Sequence, residues 1–367
     1  MSKKFLQSKN AFYTPSVKSR FVDTLRMSLV IKVVFYGVIF VLCISSITIG
    51  FLVFQGKKIA KNQDVEFVEE VTVLTVEEDI KHFPVGVNPQ LKEIIENPIV
   101  PSYFEEHVSI KSDSQKTHTS WIGKAIGKLA LMNWYQNLAS LSSRILVIES
   151  GERKEQVAEH FTKILGWDTD EKKQFLKAIE SSEPVLSDGK FFPGTYTVAR
   201  GATPDDVIPL ITDRFRDEVL ARYGEEIEAI VPLSDTLTIA SLLEREAYDF
   251  EDMRLIAGVI WNRLFIDMNL QIDATLQYAK GSKPSEPWWP KVKPSDKYIA
   301  SVYNTYKNSG LPPAPIANPS LDSILAALNP RKTDCMFYFH DKKAGFHCSP
   351  TYEGHVTLLK QYYGQGK

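Results

Sequence analysis

Glu246 is the residue of this chain whose setting points most directly to chemistry. From Leu237 the sequence runs LTIASLLEREA, with apolar residues at helical spacing. At about 100° per residue, Ile239, Leu243 and Phe250 share one stripe, flanked by Ala240 and Ala247. Glu246 projects from the middle of that stripe, Glu244 lies at its edge, and Arg245 faces away. An ionised carboxylate in apolar surroundings is costly. Its pKa therefore rises, leaving a proton donor near neutral pH, and a held proton is what glycosidic cleavage requires. A second reading stands beside this one: the helix ends near Glu246, and the carboxylate turns outward or pairs with an arginine.

Other chemistries find less support. The cysteines and histidines show neither C-x-x-C nor H-E-x-x-H spacing, so no metal constellation is read. No Gly-rich phosphate loop and no G-x-S-x-G elbow occurs. Residues 267–320 are expected to be mostly irregular, yet they are dense in polar and aromatic groups. Loops on a rigid scaffold are where binding groups gather, although aromatics packing locally would look the same.

The charge is unevenly divided. Residues 1–56 hold seven of the 43 Lys and Arg and one of the 45 Asp and Glu, leaving 36 basic and 44 acidic residues for 57–367. That acidic balance argues against nucleic acid as a partner of the large part. Residues 33–54 are free of charge, long enough to span a bilayer and longer than a signal-peptide core. The basic excess before them predicts a cytoplasmic N-terminus and an extracytoplasmic remainder, anchored to the cell membrane by one helix. Cys335 and Cys348 flank an expected hairpin, 336–339 and 345–347, turning at Asp341. They are not directly opposite in a regular pairing, and a disulfide between them is left open.

The elements that must position Glu246 can be read in order. A strand is expected at 71–76 and another at 144–149. Helices follow around Val157–Leu165, closed by Gly166, and at 170–180; a strand returns at 191–198. A helix opens at Thr203-Pro204 and runs to Tyr223. The Glu246 helix is followed by one at 252–264, then 321–328, the hairpin, and a last helix at 354–363. Residues 81–143 give no clear pattern.

Several segments, taken together, resemble one family. IASLLEREA at 239–247 is similar to I-A-S-[IL]-[IV]-E-[KR]-E-[TA], AGVIWNRL at 257–264 to A-[SG]-V-[IF]-x-N-R-L, and LQIDAT at 270–275 to L-Q-[ST]-D-P-T. YNTY at 303–306, GLPPAPI at 310–316, FYF at 337–339, His347 and Glu353-Gly-His355 resemble further signatures, and GKFFPGTY at 189–196 is similar to G-Y-L-F-P-x-T-Y. The resemblance is to the endolytic murein transglycosylases of the MltG (YceG-like) family and covers about 144–367. It departs at Ile272 (a small hydroxyl residue in the family), Ala274 (proline), Ala314 (often glycine) and Gly354.

The resemblance implies an α+β chain. With the charge pattern, its parts would be a cytoplasmic basic tail (1–32), a transmembrane helix (33–54) and a membrane-proximal region of unknown fold (55–143) that the resemblance does not reach, then, as the resemblance implies, a LysM-like βααβ lobe (144–199) and a mixed α/β catalytic domain (200–367), with the acid on a core helix. It implies that Glu246 is the catalytic acid of a lytic transglycosylase, cutting MurNAc-β-1,4-GlcNAc bonds to 1,6-anhydro ends without metal or organic cofactor. Gln271, Asp273, Thr275, Tyr303, Asn304, Tyr306 and His347 are the expected sugar-contacting residues, with Phe192 and Tyr196 as a stacking wall. Glu244, Asn262, Arg263, Glu353 and His355 are expected to support them. Peptidoglycan strands, the membrane and peptidoglycan synthases are the expected partners. A hydrolytic muramidase using Asp273 or Glu244 as second carboxylate, and a non-catalytic glycan-binding anchor, remain alternatives.

Overall fold

The computed structural model describes residues 82–109, 143–181, 188–283 and 285–364. The basic tail, the uncharged run at 33–54, the strand expected at 71–76 and nearly all of the polar stretch 109–120 lie outside them. All the described residues fall within the compact unit Val76–Lys367.

The first of two cores is built around α9, Leu321–Leu328, whose eight residues are all buried. A helix buried on every side must be covered on every side. The covers are α6, Leu233–Glu246, and α7, Phe250–Phe265. Ser320 caps α9 through the Ser323 N–H, and the Glu244 carboxylate accepts from the Ser320 N–H and hydroxyl at 3.0 and 2.8 Å. An acid at a helix N-terminus is favoured by the backbone dipoles there. Ser241 holds the other flank: its buried hydroxyl accepts from the Ile316 N–H at 3.0 Å and donates to the Thr238 carbonyl.

α6 ends at Glu246, because Ala247 is extended (φ −98°, ψ 159°) and Asp249 caps α7 by accepting from the Asp252 N–H. Phe250 therefore opens α7, where it stacks on Phe104 at 4.0 Å; the stripe that ran from Ile239 to Phe250 as one helix is broken after Glu246. Ile239 and Leu243 are fully buried, as the stripe requires.

The stretch without a sequence pattern joins this same core. A small ribbon, β1 Val87–Asn88 and β2 Glu93–Ile94, precedes α1, Val100–Tyr103, which continues as the wider turn Phe104–Ser109. Phe83, Val87, Ile94, Val100, Tyr103 and Val108 are buried in it. The Asn329 amide donates to the Pro84 carbonyl at 2.6 Å, and the Gly86 N–H to the Leu328 carbonyl at 2.9 Å.

The second core is the βααβ unit. β3, Ser143–Ile148, pairs antiparallel with β4, Gly194–Ala199, from Ser143↔Ala199 to Ile148↔Gly194. Between them run α2, Lys154–Leu165, ended by Gly166 at φ 75°, and α3, Thr169–Ser181. Leu146, Ile148, Val157, Phe161, Phe175 and Phe191 fill the interior. The next helix, α4, Pro204–Phe215, gives Val207 and Ile211 to this core and Phe215 to the first, so the division expected at residue 199 runs through shared packing. α4 runs on through Arg216–Leu220 and Ala221–Tyr223 to α5, Glu225–Ile230. Asn318 rivets the two parts together: its Oδ1 accepts from the N–H groups of Gly189 and Phe191, and its Nδ2 donates to the Glu152 carbonyl.

Candidate active site

Three elements meet at Glu246. It is the last residue of α6, partly buried. Opposite it begins α8, Asp273–Gly281, a helix inside the region expected to be irregular. Beside it lies the hairpin of β5, Phe337–His340, and β6, Phe346–Ser349. Cys335 and Cys348 form a disulfide, their Cα atoms 5.7 Å apart, and so close the base of the hairpin.

Side chains alternate across a strand. Tyr338 and His340 thus share one face with their partners Cys348 and Phe346, while Phe337 and Phe339 share the other with Ser349 and His347. The first face meets Glu246: the Tyr338 hydroxyl donates to Oε2 at 3.3 Å, and its ring stacks on Phe346. His340 Nε2 is 2.9 Å from both oxygens of Asp252.

The protonation of Glu246 is set by opposed effects. Burial raises its pKa, and the charge of Asp273 adds to the rise. The Ala274 backbone N–H, the Tyr338 hydroxyl and the charge of His340 act the other way, and burial prevails. The group is thus an acid that holds its proton above the usual carboxylate range, with two donors ready for its ionised form. The departure at Ala274 gains physical content here, since a proline at that position has no N–H to offer.

The structure sorts the expected site residues. Asp273 stands at the start of α8, exposed, and accepts from the Tyr306 hydroxyl at 2.7 Å. Gln271, two residues earlier, is exposed with φ 51°, in the left-handed region that a non-glycine residue seldom adopts; its N–H donates to the Thr305 carbonyl. Asp273 and Tyr306 stand close enough to Glu246 for their charges to interact with it.

Others do not. Asn304 is fully buried; its amide donates to the carbonyls of Lys297 and Ile299 and its Oδ1 accepts from the Tyr306 N–H. Thr275 is buried too, its hydroxyl donating to the Ile272 carbonyl and bonded to Thr305. Both are scaffold of the loop and cannot reach a sugar. Tyr303 packs on Tyr278, ring centres 4.7 Å apart, on the side of the βααβ unit. Phe192 and Tyr196 are buried, with the Tyr196 hydroxyl donating to the Phe192 carbonyl and Arg214 over both rings. A stacking wall needs an open ring face, and neither has one.

His347 and His355 sit on the hairpin face turned from Glu246. His347 bonds Asp341 at 2.9 Å and packs on Tyr362, 3.9 Å between ring centres. His355, on α10, Tyr352–Tyr363, packs against Phe337 and Phe339, and Glu353 on the same helix is exposed. The pattern treated these residues as neighbours of the acid; strand alternation puts them behind it.

The supporting residues act through the backbone. Asn262 donates to the carbonyls of Thr333 and Cys335, and Arg263 to those of Met336 and Leu270. Together they tie the hairpin and the Gln271 segment to α7. Arg245 does not face solvent: its guanidinium lies over the Trp289 ring at 4.0 Å. Sequence reasoning passed over Tyr338, His340 and Asp252. The alternation of FYFH was the signal for the first two; Asp252 looked like one more acidic residue at a helix start.

Fold and site define a class: an α+β protein with a carboxyl, its pKa raised by burial, where a helix end, a helix start and a disulfide-closed hairpin converge. The chain belongs to the YceG-like family, whose model matches residues 124–361. It is 36% identical over 171 residues to the endolytic murein transglycosylase of Streptococcus pneumoniae (strain D39), an alignment covering 46% of this chain and 31% of that protein. To the endolytic murein transglycosylase of Bacillus subtilis (strain 168) it is 35% identical over 176 residues, covering 48% of each. The chain thus spans from about a third to about half the length of the curated relatives it matches. A crystal structure of a yceG-like protein from Listeria monocytogenes is 26% identical, with a TM-score of 0.49, covering 76% of this chain and 97% of that one.

Proposed function

We propose that this chain is an endolytic lytic transglycosylase that cleaves the β-1,4 bond between N-acetylmuramic acid and N-acetylglucosamine within peptidoglycan strands. The observation that carries the proposal is the Glu246 carboxyl at the meeting of three elements, its pKa raised by burial yet supplied with donors for its ionised form. The shared name of the two relatives points the same way.

In the proposed reaction Glu246 gives its proton to the bridging oxygen as the C1–O bond breaks. The C6 hydroxyl of the same muramyl residue then attacks C1, and ionised Glu246 takes up the hydroxyl proton. The intramolecular attack gains effective molarity, leaves a 1,6-anhydro end and returns the acid to its starting state. Tyr338 and the Ala274 N–H support the carboxylate that exists between the two proton transfers. Gln271 and Asp273 contact the sugar. Glu244, committed to Ser320, is poorly suited to act as a second carboxylate; Asp273 is the group a hydrolytic reaction would use.

The βααβ order of 143–199 is compatible with a LysM-like, glycan-holding role. The uncharged run at 33–54 would anchor the chain in the cell membrane with the site outside. The Cys335–Cys348 disulfide favours that side, since disulfides persist in oxidising compartments. Beside peptidoglycan synthases, such an anchored enzyme would limit the growth of nascent strands.

The test is mass analysis of products from purified glycan strands, with the wild-type chain and Glu246→Gln. Anhydro ends are expected; ends heavier by one water would mean hydrolysis. Glu246→Gln should lower cleavage by about 100-fold or more, the usual worth of a general acid, while glycan binding persists. Equal cleavage by the variant would refute the catalytic reading.

A further inference from the structure

Two residues beyond the acid, Tyr248 leaves 67% of its surface exposed, whereas Tyr306, Tyr338 and Phe346 are half-buried. Ala247, between them, is extended, so the two Cα atoms stand within about 7 Å of each other. Tyr248 is nevertheless held. Its N–H donates to Oδ2 of Asp252 at 2.9 Å. The same Asp252 grips His340, and the His340 ring meets the Tyr248 ring at 4.9 Å and 86°. One carboxylate thus fixes the backbone of Tyr248 and the ring beside it. His340 in turn lies next to Tyr338 on the strand face that meets Glu246, ring centres 6.2 Å apart.

We infer that Tyr248 is a stacking platform for one hexosamine ring of the glycan, seated next to the bond that Glu246 cleaves. This rests on the glycan-cleaving reading of the site. The chemistry is that of an amphipathic ligand. A pyranose carries hydroxyls around its rim and a face of C–H bonds with partial positive charge. An aromatic ring offers a face of negative charge and a large, rigid apolar surface. With two-thirds of its surface open, Tyr248 has a bare face to give. Its tethering to Asp252 means that little freedom is lost when a sugar settles on it, which favours affinity. The row from Tyr338 through His340 to Tyr248 would lay the strand along the hairpin, away from the α8 side where Gln271 and Asp273 reach the other sugar.

The experiment uses the full-length chain carrying Glu246→Gln, so that the probe, peptide-free glycan strands of alternating N-acetylmuramic acid and N-acetylglucosamine, is bound without being cut. Adding Tyr248→Ala should weaken binding roughly 10-fold, as expected for removal of a well-placed aromatic contact. Tyr248→Phe, which keeps the ring, should bind within about 2-fold of the parent. Thermal unfolding should not move, because the ring is largely outside the core. In the wild-type background Tyr248→Ala should raise KM and leave kcat nearly unchanged, the signature of a lost binding contact. Equal affinity for the alanine variant overturns the platform and leaves the transglycosylase reading standing. A parent that binds no glycan overturns both.

Discussion

Asp188→Asn should flatten the dependence of stability on pH. Asp188 is 3% exposed and lies where the βααβ unit meets α8. Its Oδ1 accepts from the Lys154 N–H at 2.6 Å, and its Oδ2 from the Tyr278 hydroxyl at 2.8 Å. Burial, with the charge of Glu155 added, pushes its pKa from the ordinary 3.8 up to about 7. The folded carboxyl therefore keeps its proton through a range in which the unfolded one has lost it. Between those values the native state binds more protons, so stability is fully present below the unfolded pKa and falls as pH rises toward the folded one. A shift of about three units, at about 1.4 kcal/mol each, makes the whole effect on the order of 4 kcal/mol. Asparagine has the size and a carbonyl to meet the Lys154 N–H, but nothing to titrate. Urea unfolding of both proteins at about pH 5 and about pH 8 measures the difference. The variant should gain roughly 3 kcal/mol on the wild type between the two, the part of the shift that lies in that window. Other titrating groups, such as His160 beside Glu152, are common to both proteins and cancel. Parallel curves would refute the assignment of a protonated, buried Asp188.

Two further outcomes follow from the same reasoning. In the proposed reaction cleavage requires protonated Glu246, so activity should be present below its raised pKa and lost as pH rises through it. Tyr338→Phe removes a donor that favours the ionised form and should move that alkaline limb upward by about 1–2 pH units, the worth of a hydrogen bond to a charged group; an unmoved limb in the pH–rate profile would show that Tyr338 does not touch the acid. Ser241→Ala strands the buried Ile316 N–H and should lower stability by roughly 1–3 kcal/mol in denaturant melts, so a melt unchanged from wild type would count against that bond.

Much of the scaffold was legible because its signals are local. Val157, Phe161 and the left-handed Gly166 mark α2 without knowledge of anything else. The apolar stripe placed Ile239 and Leu243 in the core and set Glu246 apart. α8 was missed for a physical reason. Its buried positions, Ala274, Thr275, Leu276 and Tyr278, include two polar side chains, so no clean apolar stripe shows. The segment from Phe83 to Val108 was illegible because its apolar residues are scattered among prolines and turns, and only a distant core gives them a common side.

Glu246 could be singled out from the sequence, because its periodicity and the motif around it are both properties of a few neighbouring residues. What surrounds the acid could not. His347 and His355 were read as site residues and lie on the far face of the hairpin; Tyr338, in the middle of the FYF signature, and His340 were not, and share the face that meets Glu246. A hairpin has two faces, and which one turns inward depends on where α7, through Asn262 and Arg263, fastens its ends. The sequence by itself determined that a carboxyl would meet the core at position 246. The tertiary structure decided which donors and charges stand around it, because those come from distant elements, Tyr338 lying 92 residues along the chain, brought together only by packing.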